Sequence, residues 1–549
     1  MTKVPQPDFD VIICGGGLAG LTLALQLKLN LDDIKICVLE QQKSPLPVAK
    51  HKVGESSVEG GAYYLMQTLQ LESYVLEEHV EKLGLRFFGQ RDPNFAERFE
   101  RGISKFEPGV PSYQFDRGLL EAHLRELVVQ ANIILKEGVR VTDIKIQTKG
   151  INIVQCTDMV GIMQMHTANW VTDSSGRRQL LQRKMELQIP SPHNASASWW
   201  RVKGECDVSA LVPKSDTQWH QRIEVKRWHS TNHIMGKGYW IWFIPLSSGH
   251  TSIGIVSDES LHPIANRRTY IKSMAWLKQH EPEIASFVDN YKHVDHKFIK
   301  GFAHLSKQVF SKNGWSCVGE AGVFTDPLYS IGLDLIAIAN TSTTALIKLH
   351  RDGVLNTDQS DLYNSVFLEV VSMVTQFYSG MYPMFDNDQV FLAKLTWDYM
   401  IYWGYIAPLT VHEVFGNPSA LVAYAAVSSQ IRQINLDCQR LLKAWSSTES
   451  KKLARGLYTK SSAPIQEPMR LSLDEPKTAQ AYIYEANKNL VKMRNHVRIL
   501  YKKANKQMEF SAKDQAFFET YGSTPNLESA TTDHDLLTYL DDYFVATGM

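Results

Sequence analysis

Gly15-Gly16-Gly17-Leu18-Ala19-Gly20 is the segment whose residue types and spacing commit most clearly to a chemistry. It has the form Gly-x-Gly-x-x-Gly. It follows an apolar run, Phe9 to Cys14, that reads as a buried strand, and precedes Leu21 to Asn30, which reads as a helix. In that setting Gly15 permits the tight turn, Gly17 lets backbone approach a pyrophosphate, and Gly20 lets helix and strand pack closely. The free N–H groups at the helix start, around Leu18 and Ala19, then face the phosphates. Ile34 to Leu39 reads as a second strand, closed by Glu40. An acid at that distance grips ribose hydroxyls, which favours FAD or NAD over a 2′-phosphorylated cofactor. A ligand-free glycine turn is the plainer reading, and the ordered succession of strand, glycines, helix, strand and acid argues against it.

Further along lie segments whose plain readings are structural. Trp240-Ile241-Trp242-Phe243-Ile244-Pro245 is rich in strand formers and by itself reads as a core β-strand. Phe324-Thr325-Asp326-Pro327-Leu328-Tyr329-Ser330-Ile331-Gly332 reads as a turn capped by Ser330 ahead of a helix beginning near Leu333. Lys82 follows Lys52-Val53-Gly54-Glu55-Ser56, and a lone lysine is ordinarily a solvated charge. Trp170 to Arg177 and Trp315 to Ala321 each read as a strand ending in a polar turn or helix, and Asp116-Arg117 opens a helix over Gly118 to Ala131.

Taken together, the Trp-x-Trp-x-Ile-Pro run, the Phe-x-x-Pro-x-x-Ser-x-Gly run, the Gly-Glu-Ser segment and the lysine resemble the flavin-dependent halogenases of the tryptophan-halogenase type. The resemblance covers roughly residues 8 to 350. It implies FAD, held by Gly15, Gly17, Leu18, Ala19, Gly20, Glu40, Ser56, Arg117, Asp173, Gly319 and Glu320, the last in place of the more usual Asp. It implies halide held by the backbone N–H groups of Ile331 and Gly332. In the family, reduced flavin and oxygen give a C4a-hydroperoxide, halide attacks it, and a lysine, here Lys82, relays the resulting hypohalous acid; Ser330 is carried over as catalytic with it. The Trp-x-Trp run implies bulky aromatic filling beside the flavin, and Trp240, Trp242, Tyr329 and Trp403 are expected around the substrate.

The chain departs from the family at two points. Free-tryptophan halogenases have a glutamate just before the serine of the Pro-x-x-Ser-x-Gly run, and Tyr329 stands there. That resembles the branch acting on phenols, pyrroles and carrier-bound acyl groups. Glu59, where many relatives have proline, is a candidate for a pocket acid from elsewhere. No second nucleotide fingerprint follows Gly20, which points to FADH2 supplied by a separate flavin reductase. An FAD monooxygenase or dehydrogenase on the same scaffold, and a non-catalytic flavoprotein that binds a biosynthetic carrier, are the competing readings.

These residues need a scaffold. The expectation is an α/β chain: a Rossmann-type FAD-binding module over 8–350, an inserted antiparallel substrate sheet over roughly 140–310, and a mostly helical region over 351–549 with a loop or linker near 446–480. Strand-like runs include Gly150 to Cys156, Met163 to Val171, Ile223 to Trp228 and Thr251 to Val256; helical spacing appears over Leu362 to Tyr378 and Val390 to Ile406. The basic stretch 488–506 reads as a solvated helix face, with docking of an acidic carrier as the alternative.

Composition excludes little but does exclude some partners. The 549 residues are 44% hydrophobic, with 58 basic and 58 acidic side chains, so nothing favours nucleic acid. The six cysteines have no metal-ligand spacing, so no metal site is expected, and they suit a reducing cytoplasm. No apolar run is long enough for a membrane span, and no integral membrane contact is expected.

Overall fold

The computed structural model describes residues 6–46, 54–89, 94–106, 108–148, 150–448, 457–458 and 466–521. Two large sheets organise them. The first is built around the strand Phe9–Cys14, which pairs in parallel with Ile36–Glu40 on one side and Met163–Asp173 on the other. Ile134–Glu137 and Trp315–Cys317 continue the parallel order at the flanks. Register brings Cys14 level with both Leu39 and Asp173, and Asp173 level with Cys317. Several strand C-termini therefore open on one crevice, where open α/β sheets bind ligands. Helix Leu18–Asn30 packs against Arg117–Gln130 and Gly332–Arg351, and this cover is why Val11, Ile12, Ile13 and Val38 are wholly buried.

The second sheet runs in the order Lys297–Ile299, Ala195–Lys203, His250–Asp258, Tyr239–Leu246, Thr231–Gly236, Leu85–Phe88, Glu100–Arg101, Leu457–Tyr458. It differs from the expected 140–310 insertion in two respects. Asn152–Thr157 and Met163–Asp173 pair antiparallel with each other but belong to the first sheet, because the long second strand ends as the parallel neighbour of Phe9–Cys14. The second sheet in turn draws in strands at 85–88, 100–101 and 457–458 from outside that span.

One expected strand is absent. Ile223 to Trp228 holds a turn and the short 3-10 helix Arg227–His229 instead. The amides of Glu224 and Val225 both bond to the Ser104 carbonyl, and Arg222 and Arg227 converge on the buried Glu100 carboxylate. Two charge-assisted contacts to a buried acid outweigh the strand preference of two aliphatic residues.

Beyond residue 350 the described chain is mostly helical: Thr357–Gln376, Asp388–Ile401, Pro418–Trp445, Ala479–Ala504 and Ala512–Thr520 are the longer helices. The pattern over Val390 to Ile406 is an α-helix to Ile401 that widens into a π-helical turn at Tyr402–Ile406. The apolar core continues from the first sheet into these helices without a break at residue 350. Ala479–Ala504 buries Met493, Val497 and Leu500 and leaves Lys488 and Lys502 exposed. Of the linker expected near 446–480, residues 449–456 and 459–465 lie outside the described residues, and Glu467–Leu471 is helical. All six cysteines are buried free thiols. Among the described residues no helix is long and apolar enough to cross a membrane, and no cluster of His, Cys, Asp or Glu could hold a metal.

Candidate active site

A cavity of about 510 Å³ follows the C-terminal ends of the first sheet. Its walls include Gly15, Gly17, Leu18, Ala19, Glu40, Ser56, Arg117, Gly319 and Glu320. The glycines are there for steric reasons. Gly15 has φ +127°, and a Cβ on it would stand 2.4 Å from the Ser174 carbonyl oxygen. A Cβ on Gly20 would meet the Gly15 carbonyl oxygen at 2.0 Å, so Gly20 acts by packing and does not itself line the cavity. Helix Leu18–Asn30 starts at Gly17 with no side-chain cap and no acid in its first turn. Its first N–H groups and positive dipole end are therefore suited to phosphate. Glu40 accepts the Gly16 and Gln42 amides at 2.6 and 2.7 Å, which fixes its carboxylate at the cavity wall. A glycine cradle, an uncapped helix start and an acid at the ribose position fit FAD.

The far end of this cavity is closed by the second sheet. Along Tyr239–Leu246 side chains alternate, so Trp240, Trp242 and Ile244 line the cavity while Tyr239, Ile241 and Phe243 enter a separate apolar core. Of the two expected settings for Trp240 and Trp242, beside the flavin and around the substrate, strand periodicity turns both indoles into the cavity of the glycine cradle and not into the cavity of Lys82. Trp240 Nε1 donates to Tyr382 at 2.7 Å, whose hydroxyl donates to Asp326 at 2.6 Å; His193 Nε2 also meets Asp326, at 2.6 Å. The expected role of Asp173 in holding FAD is corrected. It stands apart from the cavity, accepting the Ser175 and Leu181 amides at 3.0 and 2.8 Å, and so shapes the turn that carries Ser174 and Ser175.

The segment Tyr329-Ser330-Ile331-Gly332 separates this cavity from a second one of about 350 Å³. Ser330 and Gly332 face the first cavity, and Tyr329 and Ile331 face the second. Ser330 holds φ +60°, uncommon for a residue with a Cβ, and its hydroxyl donates to Ser56 at 3.1 Å. Ser56 is tied in turn to Thr231 at 2.8 Å. Helix Gly332–Arg351 begins at Ile331 without a side-chain cap, so its positive end opens on the strap.

Lys82 lines the second cavity, at the end of the short strand Val80–Lys82. It is 3% exposed, and its ammonium donates to the Ser57 carbonyl. Burial pushes its pKa down to about 7, while the carboxylates of Glu59 and Asp334 pull it up. Glu59 lines the same cavity and accepts Trp403 Nε1 at 3.1 Å. Asp334 is wholly buried in the first turn of its helix and accepts the Tyr402 hydroxyl at 2.8 Å. Burial drives its pKa up to about 7. Tyr329 donates to Asp398 at 2.7 Å; Lys394 and Gln439 hold the same carboxylate, each at 2.7 Å. Thus Lys82, Tyr329, Ile331 and Trp403 all line the second cavity, on the side of the strap opposite the glycine cradle. Lys52 and Val53, which open the Gly-Glu-Ser segment, lie outside the described residues.

Sequence reasoning missed Asp334, Arg101 and the group around Asp398, and read Tyr402 only as one of the aromatics over Val390 to Ile406 that could wall a ring or alkyl substrate. The one local signal was Asp334 in a helix first turn, which ordinarily marks only dipole compensation. Glu55, beside Ser56 on the first cavity, was also passed over; burial pushes its carboxyl up to about 7. The π-helical turns at Tyr64–Thr68 and Tyr402–Ile406 both contribute to the second cavity, through Met66 and through Tyr402 and Trp403. Such turns concentrate at functional sites, but nothing in residue spacing announces them.

The chain belongs to the tryptophan halogenase family, whose model matches residues 69–396. The flavin-dependent halogenase chlA of Dictyostelium discoideum is 26% identical over 424 residues, 71% of this chain and 68% of that one. The 1H-pyrrole-2-carbonyl-(peptidyl-carrier protein) chlorinase of Pseudomonas fluorescens is 24% identical over 353 residues, 60% of this chain and 73% of that one. Among solved structures, halogenase PltM in complex with phloroglucinol and FAD superposes with TM-score 0.59 at 16% identity, over 92% of this chain and 98% of that one. A flavoprotein/dehydrogenase from Cytophaga hutchinsonii gives TM-score 0.58 at 20% identity, over 79% and 98%. The protein is thus an FAD-binding enzyme of the flavin-dependent halogenase class.

Proposed function

We propose that this enzyme chlorinates or brominates an electron-rich aromatic substrate, using FAD that arrives reduced from a separate reductase in the cytoplasm. The carrying observation is the Tyr329–Gly332 strap, a common wall between the glycine cradle's cavity and that of Lys82. A small oxidant formed on one side needs only to pass the strap to meet a ring on the other. When bound, reduced FAD together with molecular oxygen would supply the two-electron oxidation of halide to hypohalous acid.

The remaining roles fall to this chain's residues. The N–H groups of Ile331 and Gly332 hold halide at the uncapped helix start. Ser330, tied to Ser56, keeps the strap in its left-handed turn. Lys82 hydrogen-bonds the hypohalous acid beside the ring. The carbon–halogen bond forms as the oxygen–halogen bond breaks, the leaving hydroxide takes a proton from the Lys82 ammonium, and the ring proton passes to Glu59. Tyr399, Tyr402 and Trp403 position the ring and exclude water. The carrier-bound pyrrole in one relative's name and the phloroglucinol bound in a solved neighbour support an electron-rich ring in free or carrier-tethered form.

The test is turnover with FAD, a flavin reductase, oxygen and chloride, bromide or iodide, against a phenol panel and monochlorodimedone, read by mass spectrometry. Halide-dependent halogenated product is expected. Oxygenated or desaturated product formed without halide would move the assignment to a monooxygenase or dehydrogenase.

A further inference from the structure

The first sheet ends in a hairpin that neither cavity uses. A turn over 158–162 joins Asn152–Thr157 to Met163–Asp173, and the two strands pair antiparallel. Met159, Val160, Ile162, Met163 and Met165 are 59–81% exposed. Five large apolar side chains thus face water within one short stretch, which marks an interaction site more often than an idle surface.

The turn keeps its backbone polar groups to itself. Asp158 Oδ1 accepts the Val160 and Ile162 amides at 3.0 and 2.8 Å. The Asp158 carbonyl accepts the Gly161 amide at 3.2 Å, and the Ile162 carbonyl accepts the Asp158 amide at 3.1 Å. Donors already bonded inside the turn lose little when the tip leaves water.

Cations stand behind the tip. Residues level with each other on paired strands share a face of the sheet. Register sets Arg140 level with Thr157 and Thr157 level with Met163, and sets Lys145 level with Ile153 on the same side. Lys43 and Met159 both pack beside Gly138. Lys43, Arg140 and Lys145 are exposed, and among the described residues none of them is in an ion pair. The nearby acids are engaged elsewhere: Asp143 pairs with Lys184, Glu137 with Arg125, and Asp158 with its own turn. The surplus charge around the apolar tip is therefore positive.

We propose that this hairpin is a peripheral anchor for an anionic lipid surface. Met159, Val160, Ile162 and Met163 enter the boundary between headgroups and acyl chains, and Lys43, Arg140 and Lys145 meet the headgroup anions. A protein partner would need a groove shaped to a convex tip, whereas a fluid bilayer closes around any shape. The turn is far too short to span, so the contact is with one leaflet. The inference is independent of the halogenase reading, since neither cavity takes part in it.

The test is flotation of the full-length, FAD-loaded protein with vesicles of phosphatidylcholine alone or mixed with phosphatidylserine. Wild type is compared with the pair Val160→Ser and Ile162→Ser and with the pair Lys43→Gln and Arg140→Gln; FAD retention reports folding. Binding to the mixed vesicles is expected to exceed binding to phosphatidylcholine by about tenfold or more, and to weaken as salt rises. The serine pair should lose about tenfold or more through its apolar contacts. The glutamine pair should lose about fivefold for each cation removed. No flotation with mixed vesicles, equal flotation with both lipids, or flotation unchanged in the folded serine pair overturns the inference. Light scattering that shows a concentration-dependent dimer, lost in the serine pair and without lipid binding, overturns it in favour of a second copy of this chain.

Discussion

The cavities on the two sides of the Tyr329–Gly332 strap are built by different means. The FAD-side cavity has one end of backbone and strand ends, with glycines, a helix start and residues one or two positions beyond a parallel strand, and a far end closed by Trp240, Trp242 and Ile244. The Lys82-side cavity depends more on side chains, drawn from a short strand, two π-helical turns, a loop and the helix Asp388–Ile401. Backbone geometry transfers between chains of different composition, whereas a side-chain pocket can be remade by single substitutions. A cofactor common to a family belongs in the first kind of site, and a substrate particular to one enzyme in the second.

Lys82→Ala is the sharpest way to separate the two sides. Product should fall by about a hundredfold or more, the scale of removing a group that acts on the transferring atom, while FAD affinity stays within about twofold. Loss of FAD together with product would break the division, because Lys82 would then be serving both cavities. The reciprocal change is Gly20→Ala. Its Cβ would collide with the Gly15 carbonyl at 2.0 Å, a backbone contact that cannot give way cheaply. FAD binding, followed by equilibrium titration, should weaken by about tenfold or more, in line with overpacking costs of about 1–3 kcal/mol.

Asp334→Asn tests the electrostatics on the substrate side. The ammonium of Lys82, with its pKa pushed down to about 7, loses its proton as pH rises through neutrality, so turnover that needs the ammonium declines above that point. The Asp334 carboxylate opposes the fall in the lysine pKa. Replacing it with a neutral amide should therefore move the alkaline limb of kcat/KM to lower pH, by up to about one unit. An alkaline shift, or an unmoved limb, would exclude the coupling. The smallest effect is expected from Trp403→Phe, which keeps the ring on the wall and deletes the 3.1 Å hydrogen bond to Glu59. One hydrogen bond to a charged acceptor is worth about 1.5–3 kcal/mol at most, and Glu59 reaches water more readily than a buried acid. A severalfold rise in KM with FAD binding unchanged is the outcome to look for in steady-state kinetics.

The contrast also accounts for which residues were readable from the chain. Gly15, Gly17 and Glu40 were legible because a turn, a helix start and a ribose contact each demand a residue type at a set distance from a strand. Lys82, Tyr329 and Ile331 were singled out only through resemblance to a family, since nothing local separates a buried lysine from a solvated one. Whether Trp240 and Trp242 meet flavin or substrate was not readable, because alternation along Tyr239–Leu246 divides the strand into two faces without saying what each face meets. Asp173 sits among cofactor-facing neighbours, yet its carboxylate is consumed by the amides of Ser175 and Leu181. Ile223 to Trp228 failed as a strand because its fate was decided by Glu100, more than a hundred positions earlier in the chain.

Local order alone carried the strand–glycine–helix–strand unit, the helical character beyond residue 350 and the aromatic strand, since each depends on interactions among neighbours along the chain. Only the packed chain decided that Ser330 and Tyr329, adjacent in sequence, face different cavities. Only packing brought Glu59 to Trp403, Asp334 to Tyr402, and Arg101 to the Tyr399 ring. The reason is physical. A backbone turn is set by the φ and ψ of a few consecutive residues, but burial, a shifted pKa and a shared cavity arise only when distant segments exclude water from the same small volume.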